Sequence, residues 1–211
     1  MMNSDKIASR LKKYLYQWLG KIEIPKELLD RKYPIVVHIT DTPTAIYGEI
    51  DYLLKKLRPE YIIHTGDLVD NIKLELSPKK IDLYEKFVKK MMSIISKTVG
   101  HRAWACMGNH DCKDVIMDFD NVIISDNLSE IEINGVKFCI SHYGMETREC
   151  HADFHLFGHD MMIESNVYHG ECYLNGLESI NIINLETREV LKLDYPKGTD
   201  DYRLNKYKIG I

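Results

Sequence analysis

The sequence predicts an α/β fold in which two sheets pack between helices, and two observations support this prediction. Between residues 33 and 107, short β-branched runs alternate with longer segments of helical periodicity. From about residue 130, short strand-like segments follow one another and include a hairpin signal. Of the 211 residues, 45% are hydrophobic, which is enough to bury one core without a disulfide or a metal.

The first half of the chain has a strand-helix-strand pattern. The run 35–39, Ile-Val-Val-His-Ile, predicts a buried strand. Thr42-Pro43 resembles an N-cap followed by a proline in the first helical turn, so a helix is predicted from there to about residue 57. The further elements predicted here are a strand at 61–64, a helix that begins at Ser77-Pro78, and a strand at 103–107.

The second half is predicted to contain antiparallel pairs of strands. Asn134-Gly135 is the strongest two-residue hairpin signal, and it joins predicted strands at 130–133 and 136–141. The remaining predicted elements are a strand at 152–157 and a closing hairpin with strands at 179–185 and 189–193. The polar tail from Pro196 is predicted to run over the surface.

These elements predict one central domain, 33–195, with an N-terminal helical extension, 1–32, and a C-terminal tail, 196–211. In the extension, residues 5–19 place apolar side chains at helical spacing opposite basic ones. The favoured interpretation is a helix that packs on its own domain. Two alternatives stay open, namely a helix that lies on a membrane surface and a helix that joins a homodimer.

Charge and cysteine content narrow the classes of function. The formal net charge is −4 and the pI about 6.1, which gives no electrostatic reason to expect nucleic-acid binding. No apolar stretch approaches the roughly 20 residues of a transmembrane helix, and the charged N-terminus does not resemble a signal peptide, so we expect a cytoplasmic protein. The five cysteines form no C-x-x-C pair, which predicts reduced thiols and no thiolate zinc site.

A polar residue follows each of five predicted strands. These residues are Asp41, Asp67, Asn109, His142 and His159. Because ligands of open α/β sheets bind at the carboxyl edge of the strands, we expect these side chains to meet there. Carboxylate, amide and imidazole groups together suit a borderline divalent ion such as Mn, Fe, Zn, Co or Ni. Such an ion can activate water near neutral pH, and carboxylate bridges also allow two ions.

The polar segments resemble the ordered motifs of calcineurin-like metallophosphoesterases. The segments that carry this resemblance are Asp41, Gly66-Asp67-Leu68-Val69-Asp70, Gly108-Asn109-His110-Asp111, Ser141-His142 and Gly158-His159. The resemblance implies a four-layer α-β-β-α sandwich with a two-metal site at the sheet edge. It implies that Asp67 bridges both ions and that Asn109, His142 and His159 complete the second-metal site. It also implies that His110 is a general acid or charge stabiliser, held by Asp70.

The sequence departs from the family pattern at two positions. The family's Asp-x-His and Gly-His-x-His motifs correspond here to Asp41-Thr42-Pro43 and Gly158-His159-Asp160-Met161. Pro43 and Met161 thus replace two histidines of the same, first-metal site. That site keeps Asp41 and Asp67, which suit a weakly held ion, although Asp41 could also serve in an Asx turn. The side chains considered as replacement ligands are Asp160, His155, Glu164 and His169.

Four further residues have a structural interpretation. His38 and His64 each precede a ligand aspartate by three residues, so strand alternation directs them to the opposite face, and both are predicted core histidines. Met161 and Met162 are predicted to fill the core rather than to bind an ion.

The resulting expectation is a metal-dependent phosphoesterase that cleaves a phosphomonoester or phosphodiester, with a weakened first metal site. The alternative is a catalytically inactive protein of the same fold that acts as a binding scaffold. Binding of nucleic acid without chemistry is the weakest hypothesis, because the sequence has no basic stripe.

Overall fold

A computed structural model describes residues 16, 19–117 and 119–204 of the chain. The predicted helix at 5–19 therefore lies outside the described residues, apart from Tyr16 and Leu19. Its packing, its membrane alternative and its dimer alternative stay predictions, as do the domain limits. No helix in the described part of the chain has both the length and the apolar character that crossing a membrane requires.

The described chain contains five α-helices and eleven strands. The helices are α1 (Lys26–Leu29), α2 (Tyr47–Leu57), α3 (Ile81–Val99), α4 (Lys113–Ile116) and α5 (Thr199–Arg203). The first strands are β1 (Ile35–Ile39), β2 (Tyr61–His64), β3 (Ala103–Cys106), β4 (Ile123–Ser125) and β5 (Ser129–Ile133). The later strands are β6 (Val136–Tyr143), β7 (Phe154–Gly158), β8 (Asn166–Tyr168), β9 (Glu171–Asn175), β10 (Ile180–Asn184) and β11 (Val190–Leu193).

Two mixed sheets form the centre of the fold. The six-stranded sheet has the order β11-β10-β1-β2-β3-β4, with parallel pairing from β1 to β4 and antiparallel pairing at β10 and β11. The five-stranded sheet has the order β5-β6-β7-β9-β8, with β6, β7 and β9 parallel. The predicted α/β class with two mixed sheets and helices is confirmed.

Alternation along the strands distributes the core over two layers. In β1, Ile35, Val37 and Ile39 pack against the helices, whereas Val36 faces the second sheet. Helices α2 and α3 cover the outer face of the six-stranded sheet with amphipathic stripes. The outer face of the five-stranded sheet contacts the 3₁₀ helix Glu146–Glu149. The loops that follow the parallel strands of the two sheets lie at the same edge of the fold, where His142 of β6 contacts Thr65 after β2.

Several local details differ from the expectations. Strands β4, β8 and β9 were not predicted; β8 is exposed along its whole length, so it shows no alternation of polar and apolar residues. Thr42 does not cap a helix, because its hydroxyl lies 2.6 Å from Nε2 of the buried His64. The tail does not only run over the surface, since α5 buries Arg203 beneath the end of β1.

The expectation of wholly reduced cysteines is wrong for one pair. Cys139 in β6 and Cys150 form a disulfide, with Cα atoms 6.5 Å apart. The pair lies on the outer face of the five-stranded sheet beside the buried His155. Cys106, Cys112 and Cys172 are free thiols. Spacing in the sequence did not predict this bridge, because the pairing depends on how the 3₁₀ helix returns to the sheet.

Candidate metal centre

The ends of β1 and β2 are joined into one rigid edge by backbone hydrogen bonds. The amide of Asp41 donates to the carbonyl of Gly66 at 3.0 Å, and the amide of Thr42 donates to the carbonyl of Asp67, also at 3.0 Å. The second sheet reaches this edge through His142, whose Nδ1 lies 2.7 Å from the carbonyl oxygen of Thr65. The edge of the sheets therefore positions residues from both layers.

Three predicted ligands meet at this edge. Potential ligand atoms of Asp41, Asp67 and His142 all lie within 4.8 Å of one another, and the three residues are buried. The imidazole Nε2 of His142 lies 3.5 Å from Oδ2 of Asp67. Two buried carboxylates and an imidazole form a donor set that suits a divalent ion.

The orientation of His142 shows that this donor set fits a cation. Since a carbonyl oxygen only accepts hydrogen bonds, Nδ1 of His142 donates its proton to Thr65. In the neutral ring, Nε2 then presents a lone pair, and it faces Oδ2 of Asp67 and Oδ1 of Asn109, the latter at 3.1 Å. With the ring in this tautomer, potential ligand atoms of His142, Asp67 and Asn109 face one another, which is the arrangement that a bound cation completes.

His159 and Tyr143 pack around His142. The ring centroids of His142 and His159 are 5.0 Å apart, and Tyr143 contacts both rings edge to face. His159 lies near the three-residue group but is not within 4.8 Å of all its ligand atoms. Asn109 is exposed at the opening of the site. Sequence reasoning did not identify Tyr143 as a neighbour of the site, although it follows His142 directly.

The ligand turns are tight and strained. Asp41, Asp67 and His159 have φ values of 46°, 54° and 63°, in the left-handed region that residues with side chains rarely adopt. The neighbouring glycines allow close approach. A Cβ atom on Gly108 would lie 2.1 Å from Oδ1 of Asp67, and one on Gly158 would lie 2.4 Å from Oδ2 of Asp41. Glycine at these two positions therefore lets the backbone pack directly against the carboxylates.

Asp111 anchors the loop of Asp67 to the loop of Asn109. Its carboxylate accepts hydrogen bonds from the amides of Asp67, Leu68 and Gly108 at 2.7, 3.0 and 2.9 Å. It also accepts a hydrogen bond from the Tyr84 hydroxyl at 2.9 Å. Asp111 was part of the Gly-Asn-His-Asp motif in the sequence, but its anchoring role emerges only from the fold.

His110 contacts a different carboxylate from the one expected. Its Nδ1 lies 2.8 Å from Oε1 of Glu75, whereas Asp70 forms an ion pair with Lys73, also at 2.8 Å. Atoms of Asp70, Asp67 and His110 still lie within 4.8 Å of one another. The direct partner of the ring is therefore Glu75, a residue that sequence reasoning missed because it lies in the irregular segment before α3.

The structure tests the replacement ligands that were considered for the first site. His155 is excluded, because it stacks on Tyr173 at the outer face of the five-stranded sheet. Glu164 and His169 are exposed, and Asp160 Oδ1 accepts a hydrogen bond from the amide of Met162. Among the described residues, none of these four belongs to the three-residue group with Asp41.

The two methionines and the two strand histidines can also be placed. Met161 and Met162 are 47% and 88% exposed, so the prediction that they fill the core is wrong. His38 and His64 are fully buried as predicted. Burial lowers the pKa of each to about 3, so both rings are neutral. Neither contributes charge to the site.

Electrostatics at the edge favour a bound cation. Burial, and then the nearby carboxylates of Asp111 and Asp41, raises the pKa of Asp67 well above its ordinary value. Burial and the carboxylate of Asp41 likewise raise the pKa of Asp70. A positive charge near Asp67 would stabilise its ionised form and relieve this repulsion.

An α/β sandwich that directs aspartate, asparagine and histidine side chains to one edge has the arrangement of metallophosphoesterases, which use divalent metals. Residues 35–193 match the family model described as calcineurin-like phosphoesterase. The chain therefore belongs to the calcineurin-like phosphoesterase family. The predicted resemblance is confirmed.

Two solved structures with TM-scores above 0.5 show the same fold, and a third is less similar. An archaeal phosphodiesterase is 18% identical with a TM-score of 0.53, and the match covers 75% of this chain and 98% of that one. The phosphoesterase YfcE from E. coli is 13% identical with a TM-score of 0.52, over 77% of this chain and 100% of that one. A single mutant of Vps29 from Entamoeba histolytica is 15% identical with a TM-score of 0.49, over 76% and 97%. No curated protein matches the chain.

Proposed function

We propose that the protein is a metal-dependent phosphoesterase that cleaves a phosphomonoester or a phosphodiester. The observation that carries this proposal is the convergence at one edge of Asp41, Asp67 and His142, with Asn109 against His142 and His110 alongside. These groups come from separate strands of two sheets. Packing alone gives no reason for buried carboxylates and an imidazole to meet there.

In this proposal, Asp67, Asn109, His142 and His159 hold the firm metal ion, and Asp41 contributes to a weaker first site. A divalent ion bound there supplies Lewis-acid activation of the phosphate ester and of water. The donor set suits Mn, Fe, Zn, Co or Ni, and manganese is our first choice because carboxylate and amide oxygens contribute alongside the imidazoles. We also propose that the protein acts in the cytoplasm, where the disulfide of Cys139 and Cys150 would be unusual.

His110 is the proposed general acid. Glu75 contacts Nδ1 of its ring, so Nε2 points to the side of Asp67, from which it lies 3.9 Å. A proton held at Nε2 can be donated to the leaving-group oxygen as the bond between phosphorus and that oxygen breaks. Asp70 and Lys73 form a neutralised pair behind this ring. The half-exposed carboxylate of Glu75 thus holds the imidazole of His110 beside the proposed metal ligands.

A second candidate function is a non-catalytic scaffold, and it rests on Pro43 and Met161. Both positions lack the histidines of the first-metal motif, Pro43 directly precedes a 3₁₀ helix, and Met161 points to solvent. A protein that binds a partner through this edge would need the fold and one structural ion, but no second ion. The presence of His110 with an orienting carboxylate favours the enzyme.

Metal content and hydrolysis measured together separate the two candidates. The purified protein is supplied with Mn²⁺, Zn²⁺ or Co²⁺, and hydrolysis of p-nitrophenyl phosphate and of bis(p-nitrophenyl) phosphate is followed. His142→Ala and His159→Ala are expected to lose metal and activity, whereas His101→Ala, at an exposed histidine on the opposite edge, should keep both. Metal binding without hydrolysis would support the scaffold. A protein that shows neither metal binding nor hydrolysis would refute the enzyme.

A further inference from the structure

Helix α5, the last helix of the described residues, places a buried arginine next to the backbone of Asp41 at the candidate metal centre. Arg203 is 3% exposed and lies beyond residue 193, where the family match ends. Its Nε donates a hydrogen bond to the carbonyl of Asp41 at 2.9 Å, and its Nη2 donates to the carbonyl of Thr40 at 3.2 Å. One guanidinium thus binds two consecutive carbonyls at the end of β1.

Further contacts fix the guanidinium itself. Its Nη1 donates hydrogen bonds to the carbonyl of Leu177 at 3.1 Å and to Oδ1 of Asp200 at 2.8 Å. The guanidinium carbon lies 4.4 Å from the centroid of the Tyr195 ring. The hydroxyl of Tyr195 in turn accepts a hydrogen bond from the amide of Thr40 at 3.3 Å. Arg203 and Tyr195 therefore hold the same short segment of backbone.

The backbone that Arg203 and Tyr195 bind, at Thr40 and Asp41, includes a strained conformation. Asp41 has a φ of 46°, and a strained turn of this kind persists only where surrounding contacts determine it. Without Arg203, the buried carbonyls of Thr40 and Asp41 would each lose a charged donor. A planar guanidinium can bind two such oxygens at once, which the single ammonium group of lysine does less well.

The side chain of Asp41 connects the backbone bound by Arg203 to the candidate metal ligands. Its Oδ2 accepts hydrogen bonds from Thr40 Oγ1 at 2.6 Å and from the amide of His159 at 3.3 Å. The same Asp41 belongs to the three-residue group with Asp67 and His142. The geometry thus forms a chain from Arg203, through the backbone of Asp41, to the carboxylate at the site.

We propose that Arg203 is a positioning residue that fixes the carboxylate of Asp41 for metal binding. The C-terminal segment is then a working part of the metal centre, although it lies outside the domain that defines the family. This inference rests on the proposed metal-binding function. It adds a residue to that function that touches none of the reacting atoms.

The test is a double-mutant cycle between Arg203 and Asp41, read by titration with Co²⁺ alone. The visible absorption of bound Co²⁺ reports both affinity and ligand geometry without any turnover. At the weaker site, to which Asp41 contributes, Arg203→Ala is expected to reduce Co²⁺ affinity by about 10- to 100-fold, the usual effect of removing a group that orients a metal ligand. In an Asp41→Asn background, the same change should weaken binding by no more than about twofold, because the carboxylate it positions is already absent.

Three controls keep this result specific. Leu204→Ala alters an exposed neighbour and should leave Co²⁺ binding unchanged. Arg203→Lys keeps the charge but not the planar guanidinium, so it should weaken Co²⁺ binding less than Arg203→Ala does. If Arg203→Ala does not fold, Arg203→Lys takes its place in the double-mutant cycle. Millimolar guanidinium should partly restore binding to Arg203→Ala by filling the vacated space.

The outcomes separate the inference from the proposed function. Equal losses of Co²⁺ affinity in the native and the Asp41→Asn backgrounds would make Arg203 a general structural residue and overturn the inference alone. Unchanged Co²⁺ affinity in folded Arg203 variants would do the same. A wild-type protein that binds neither Co²⁺ nor Mn²⁺ would overturn the proposed function together with this inference.

Discussion

The imidazole Nδ1 of His110 lies 2.8 Å from Oε1 of Glu75, and the Nε2 of the same ring lies 3.9 Å from Oδ2 of Asp67 in the candidate metal centre. Glu75 is about half exposed, whereas the ring of His110 is largely buried. The carboxylate therefore orients the ring without being desolvated, so its electrostatic effect is screened by water. We therefore propose that Glu75 orients the ring, because Asp70 is already paired with Lys73.

Glu75→Gln should lower kcat and leave KM nearly unchanged. The amide of glutamine can still contact the ring but no longer accepts a charge-assisted hydrogen bond, so we expect kcat to fall by about tenfold or less.

His110→Ala should lower kcat by about 100- to 10,000-fold, the range for a general acid. Steady-state hydrolysis of p-nitrophenyl phosphate measures both. Glu85→Gln, on the exposed face of α3, is the control, and a loss in Asp70→Asn without one in Glu75→Gln would contradict the assignment.

Gly108→Ala should reduce metal binding because its Cβ would lie 2.1 Å from Oδ1 of Asp67. Either the carboxylate or the loop has to move, and such overpacking costs about 1–3 kcal/mol in the free energy of unfolding. Gly48→Ala is the matched control, because nothing lies within 4 Å of the added carbon and alanine favours a helix. Metal content and urea denaturation measure the two effects. Full metal content in Gly108→Ala would show that the loop tolerates the side chain.

The stability of the fold should fall below pH 6.5 because of His38. Burial lowers its folded pKa to about 3 from an ordinary value of 6.5, so only the unfolded chain takes up the proton in this window. The stabilisation is present above pH 6.5 and is lost as the pH falls, by about 2 kcal/mol between pH 7 and pH 5. Raised carboxyl pKa values, as at Asp67, act in the opposite direction.

The comparison with His38→Gln isolates this effect. Glutamine does not titrate, and it can keep a hydrogen bond to Thr65 Oγ1, which lies 2.9 Å from the ring in the native protein. Urea denaturation of both proteins at pH 7 and pH 5 should show the wild-type protein losing about 2 kcal/mol more. Equal losses would mean that His38 takes up its proton within the folded state.

Reduction of the Cys139–Cys150 bridge should destabilise the protein. The bridge spans a sequence separation of 11, and closing a loop of this size contributes about 3 kcal/mol in the chain-entropy model. Thermal unfolding with and without a thiol reductant should show a lower Tm in the reductant. The Cys139→Ala/Cys150→Ala double variant should show the same Tm in both, and a wild-type Tm that does not respond would mean that the bridge does not form.

Much of the site could be predicted from the sequence because each ligand lies at or shortly after the end of a strand with a clear apolar pattern. Asp41 and Asp67 follow buried strands within three residues, and glycine before the ligand marks the turn at Asp67 and at His159. Such signals are local, so one sequence is sufficient to find them.

The parts that were missed depend on distant contacts. Arg203 lies 162 residues from Asp41, in a tail with no apolar periodicity. Glu75 lies in the irregular segment before α3, where neither helical nor strand spacing marks its role. The disulfide of Cys139 likewise follows from the return of a 3₁₀ helix to the sheet, which no spacing rule describes.

The left-handed turns at Asp41, Asp67 and His159 affect which substitutions this sequence can accept during evolution. The left-handed backbone alone would favour glycine by roughly 1 kcal/mol at each turn, so the native side chains are kept at a conformational cost. A chain freed from the need for an ion could exchange them at a gain in stability. A substitution survey selected for folding alone should therefore enrich glycine at these three positions, whereas selection for metal binding should forbid it.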